Sequence, residues 1–68
     1  MEFHSLIDRV RSEFLEMPGL RLTLPQASRL WGLDHTTSQH VINALVGSAF
    51  LRWTQDGKVV RVDLGLGT

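Results

Sequence analysis

The chain has no cysteine, so neither a disulfide nor a thiolate metal site is open to it. Its three histidines are scattered and make no metal cage, and nothing in the sequence calls for a cofactor. No apolar run approaches the roughly 18 residues of a membrane span. The opening MEFHSLIDRV has no basic leader followed by an unbroken apolar stretch, which reads as no secretory signal and a cytoplasmic location. Excess charge is absent too: seven basic residues stand against seven acidic ones. That balance argues against non-specific polyanion binding, which basic domains owe to phosphate contacts.

What is present fits one small domain. A chain of 68 residues buries only about 60% of its unfolded surface. Without staples, its fold must rest on its apolar core, helped by a partner or a second copy. A hydrophobic share of 43% is ordinary for a globular chain. Charge is distributed unevenly. Glu2, Asp8, Glu13 and Glu16 outweigh Arg9 and Arg11 in residues 1–16, whereas Arg21, Arg29, Arg52, Lys58 and Arg61 outweigh Asp34, Asp56 and Asp63 beyond them.

Phe3, Leu6, Ile7, Val10, Phe14 and Met17 recur at helical spacing, the stripe of an amphipathic helix. Pro18-Gly19 ends it, and Leu20-Arg21-Leu22 alternates like a very short strand. Thr23-Leu24-Pro25-Gln26 has the form of a capping box, with proline tolerated in a first turn. Ala27, Leu30 and Trp31 give the inward stripe of the helix that follows, and Gly32 suits its left-handed end. Asp34 is an N-cap for a further helix. That helix runs to about Gly47 or Ser48, with Ser38, Val41, Ile42, Leu45 and Ala49 inward. Two helices joined by a short glycine turn make a helix-turn-helix unit.

FLRWTQDGKVVRVD then places two β-rich runs around Asp56-Gly57, a strong hairpin signal. A two-residue loop pairs Trp53 with Val60, Arg52 with Arg61 and Leu51 with Val62. One face then carries Leu51, Trp53, Val60 and Val62, the other Arg52, Thr54, Val59 and Arg61. A three-residue loop with a glycine bulge is also open and shifts these pairs. The tail, residues 64–68, alternates leucine and glycine and is expected to fray.

The order of elements, with LTLPQASRLWGLDHTTSQHVINALVGSAFLRW and DGKVVRV, resembles the winged helix-turn-helix domains of bacterial transcription regulators over nearly the whole chain. The resemblance implies a small α+β domain over residues 1–63: three helices, a short strand and a C-terminal β-hairpin wing. It makes residues 35–47 the recognition helix and residues 50–63 the wing. It implies sequence-specific binding of double-stranded DNA and a role in transcription regulation. Two departures stand out. Ala49 occupies a position where the family often has glycine, and the segment 35–47 holds no arginine or lysine, only His35 and His40.

On this reading Thr36, Thr37, Gln39, His40 and Asn43 point outward to base edges. Gln39 and Asn43 lie one turn apart, each able to donate to and accept from an adenine, while threonine methyls can touch thymine. The plain alternative is a solvated helix face. Arg29, Arg52, Lys58 and Arg61 are the phosphate and wing contacts. In the two-residue register Arg52 faces Arg61, a repulsive pair relieved by a phosphate or screened by Asp56 or Asp63. Thr23, Gln26 and Ser28 offer further N–H and hydroxyl groups to a phosphate. His35 and His40, five apart, cannot chelate one metal together. Trp31 and Trp53 both read as core rather than as base-stacking platforms.

No enzyme is indicated. Ser38, His40 and Asp34 on one helix cannot line up as a nucleophile, base and orienter, and no Gly-rich loop or metal motif occurs. A neutral module of this size calls for a homodimer on DNA, with half-sites about one turn apart. Two other readings stay open: a winged helix that docks on a protein partner, and a domain excised from a larger regulator.

Overall fold

The computed structural model describes residues 3–62; Asp63 and the tail 64–68 lie outside them. Three helices and a three-stranded antiparallel sheet follow the order α1 (Phe3–Glu16), β1 (Arg21–Leu22), α2 (Leu24–Trp31), α3 (His35–Gly47), β2 (Leu51–Trp53), β3 (Val59–Arg61). This is a small α+β fold of winged-helix type.

Only the middle of the α1 stripe is core. Leu6, Val10 and Phe14 are buried, but Phe3 and Met17, one turn beyond them at either end, are exposed. A turn closed by the Leu20 N–H on the Met17 carbonyl, 2.9 Å, follows α1. The capping box of α2 forms in full: the Gln26 N–H donates to Thr23 Oγ1 at 3.3 Å and the Thr23 N–H to Gln26 Oε1 at 2.9 Å. Gly32 ends α2 at φ 70°. Leu30, expected to face inward, is exposed; Ser28 takes the inward place beside Ala27 and Trp31. Trp31 is 2% exposed, and its indole N–H donates to Glu13 Oε1 at 2.9 Å, joining α2 to α1.

Helix α3 buries Ser38, Val41, Ile42 and Leu45. Ala49, expected on the same stripe, instead lies past the helix end, exposed, at φ 63°. There the Ala49 N–H bonds the Val46 carbonyl (3.0 Å) and the Phe50 N–H the Leu45 carbonyl (2.9 Å). These two bonds are a Schellman ending, whose left-handed residue is usually glycine. A left-handed conformation costs an L-residue roughly 1–2 kcal/mol, so Ala49→Gly is expected to stabilise the domain by about 1 kcal/mol. A thermal melt would register this as a rise of about 4–8 °C; an unchanged or lowered midpoint contradicts the strain.

The sheet has the order β1-β3-β2. Its register is that of the longer loop: Leu51 pairs with Arg61, Arg52 with Val60 and Trp53 with Val59. A type I′ turn needs positive φ at both central residues, but of Asp56 and Gly57 only Gly57 has it, at 79°. Thr54 holds the turn this way. Its N–H donates to the Lys58 carbonyl (2.7 Å), its hydroxyl accepts from the Lys58 N–H (3.1 Å), and the same hydroxyl donates to the Asp56 carboxylate. The shift moves Val59 to the inner face, where it is fully buried with Leu22 and Leu51, and turns Val60 to the outer one. Trp53 sits on the inner face at the end of an edge strand and stays 37% exposed, so it is a rim residue rather than core.

Candidate nucleic-acid interface

The three-residue turn Gly32-Leu33-Asp34 sets α3 across α2, and a buried contact fixes it. Ser28 Oγ donates to Ser38 Oγ at 3.0 Å, with Ser28 5% and Ser38 0% exposed. The two hydroxyls satisfy each other where helix meets helix. Asp34 caps α3 by accepting the Thr37 N–H at 3.2 Å. The Thr37 hydroxyl first, and then its backbone N–H, hold the Asp34 carboxyl below the ordinary carboxylate range. A depressed carboxyl stabilises the fold above its unfolded pKa, and that support is lost as pH falls through the folded value.

With Ser38, Val41, Ile42 and Leu45 turned inward, the opposite face of α3 presents Thr36, His40 and Asn43 exposed, with Gln39 half-buried beside them. Thr37 is half-buried at the flank. Gln39 Nε2 donates to Asn43 Oδ1 at 2.9 Å. That bond leaves Gln39 Oε1 as an acceptor and Asn43 Nδ2 as a donor, on residues one helical turn apart. His35, at the head of the helix, is exposed.

The basic residues divide differently from the sequence expectation. Arg52 and Arg61 do not oppose each other, because the register pairs Arg52 with Val60. The Arg61 guanidinium lies 6.0 Å from the centroid of the Phe50 ring, which Arg11 of α1 also approaches at 5.7 Å. Lys58 lies 4.0 Å from Asp56 at the wing turn. The Asp56 carboxyl is held low, chiefly by the Thr54 hydroxyl, with Lys58 and Arg21 adding to it. Arg29 is exposed in the last turn of α2, where its charge suits the helix dipole.

At the head of α2, the Thr23 and Gln26 side-chain oxygens each accept the other residue's backbone N–H, and Ser28 is buried against Ser38. Ser28, being buried, is closed to a phosphate, whereas the capping box uses only the oxygens of Thr23 and Gln26 as acceptors. Arg21 was missed as a candidate. Residues 20–22 read only as a very short strand, and it is the pairing of β1 and β2 with β3 that brings Arg21 into one row with Arg52, Val60 between them.

Among the described residues no group of three or more His, Cys, Asp and Glu side chains could hold a metal ion. No helix among them is long and apolar enough to cross a membrane. Set against known proteins, the chain matches no family model, no curated sequence and no solved structure.

Proposed function

We propose that this chain binds duplex DNA sequence-specifically, as a small transcription regulator or the reading domain of a larger one. On this reading α3 lies in the major groove and the β2-β3 hairpin runs along the backbone as a wing. The observation that carries it is the Gln39–Asn43 pair on the outward face of α3, held together at 2.9 Å. Its free donor and acceptor complement the N7 and N6 of an adenine edge, and Thr36 and His40 flank it. The Ser28–Ser38 bond ties α3 to α2 and the Trp31–Glu13 bond ties α2 to α1, which supports that face from behind.

Affinity is modest in this account, because α3 carries no arginine or lysine. Two copies on a two-fold site, with half-sites about one turn apart, supply what one lacks. The zero net charge also favours a second reading, a winged helix that docks on a protein.

Variants of the amide pair separate the two. Gln39→Ala and Asn43→Ala are each expected to cost about 1–3 kcal/mol of discrimination at one base pair, roughly 5–150-fold. The double variant loses about as much as either single one, because each amide orients the other. Binding to matched and mismatched duplexes reads this out; variants with unchanged base preference would show that α3 does not read DNA.

A further inference from the structure

The outer face of the sheet carries two arginines on either side of one valine. Arg21 of β1 pairs with Val60, and Val60 pairs on its other side with Arg52 of β2. Directly paired residues share a face, so Arg21, Val60 and Arg52 form one row across all three strands. Leu22, Val59 and Leu51 on the inner face are buried, so the row points away from the helices. Two strand spacings of about 4.8 Å put the two arginine backbones roughly 10 Å apart, a span their long side chains can close over Val60. A groove of about 270 Å³ lies along the row, bounded by Pro18, Leu20, Thr54 and a third arginine, Arg61. Both Arg21 and Arg52 are exposed. Among the described residues neither side chain makes a hydrogen bond or an ion pair; the ion pairs are those of Arg11 with Asp8 and Lys58 with Asp56. Asp56, whose carboxyl feels the charge of Arg21, is already engaged by Thr54 and Lys58.

We infer that the Arg21–Val60–Arg52 row is a phosphate site, and that the phosphate it takes belongs to a nucleic-acid backbone; the second half rests on the reading proposed above. Each guanidinium is a planar fork that prefers two acceptor oxygens. A backbone phosphodiester keeps a full negative charge on two non-bridging oxygens, each with lone pairs for more than one N–H, so it can lie between two forks at once. The groove lies on an open sheet face rather than in an enclosed cavity. It therefore suits a phosphate that passes across the surface as part of a polymer. An anion there also removes the repulsion between two like charges in one row. The contact is independent of sequence: it adds affinity and orientation while α3 selects bases.

Two titrations test this. Inorganic phosphate is added to isotope-labelled protein against chloride of equal ionic strength, and the Arg21 and Arg52 side-chain N–H and Val60 amide signals are followed. Saturable shifts confined to this row, absent from the Arg21→Gln and Arg52→Gln variants whose other signals stay in place, are the expected result. Shifts spread equally over Arg9, Arg29 and Lys58, or no shifts, overturn the site. Duplex DNA is then titrated at several salt concentrations. The slope of log affinity against log salt is expected to fall by about 1 for each arginine removed, with the preferred sequence unchanged. An unchanged slope beside a positive phosphate titration overturns the backbone assignment and gives the site to a free phosphate compound. Wild-type protein that binds no DNA overturns the backbone assignment together with the proposed function, while the phosphate titration still decides the site.

Discussion

Trp31→Ala is expected to remove roughly 3–5 kcal/mol of stability. In a domain below about 70–80 residues the whole core rarely supplies more than about 3–5 kcal/mol, so the variant unfolds at room temperature. The indole is 2% exposed among Phe14, Val10 and Ile42, the core cluster that joins all three helices, and its loss also frees Glu13 from the 2.9 Å hydrogen bond. Trp31→Phe keeps most of the buried area, drops only that bond, and should cost about 1 kcal/mol for the bond plus the incomplete filling of the site. Circular dichroism melts of both variants check this. A Trp31→Ala protein that melts like the wild type would contradict a core centred on Trp31. Any loss of binding by that variant is a folding effect and says nothing about contact with a ligand.

Ser38→Ala is expected to cost about 1–3 kcal/mol, because it leaves the Ser28 hydroxyl buried with no acceptor. The double variant Ser28→Ala/Ser38→Ala removes both polar groups and should recover most of that loss. Denaturant midpoints of the two singles and the double, at unchanged slope, measure the coupling. Additive losses would mean the two hydroxyls do not depend on each other. The cycle matters for function because this contact sets how α3 stands on α2. A Ser38→Ala protein that still folds should therefore bind DNA less selectively than its stability loss alone explains.

The helix-turn-helix was legible in the sequence because its signals are local. Capping residues at Thr23 and Asp34, a glycine at 32 and a buried α3 stripe each report on neighbours within one or two turns. What escaped depends on distant partners. Hydrophobic periodicity put Leu30 inward because it has no means of seeing that Ser28 would meet Ser38 across the helix pair. Asp56-Gly57 announces a hairpin but fits two loop lengths, and the choice lay with Thr54, whose hydroxyl closes the longer loop. One residue of register then exchanged Val59 for Val60, left Trp53 at the rim and parted Arg52 from Arg61. On the candidate site the outward set on α3 came directly from the stripe beneath it. The Arg21–Arg52 row required knowing that β3 runs between β1 and β2, which no short-range pattern encodes.

Selection of bound sequences from random duplex DNA, by the purified protein at several salt concentrations, tests most directly whether α3 reads bases. The account predicts an enriched motif with adenine opposite the Gln39–Asn43 pair, half-sites about 10 base pairs apart, and affinity that falls as salt rises. No binding at about 50 mM salt, where phosphate contacts are strongest, or binding with no enriched motif, would contradict it.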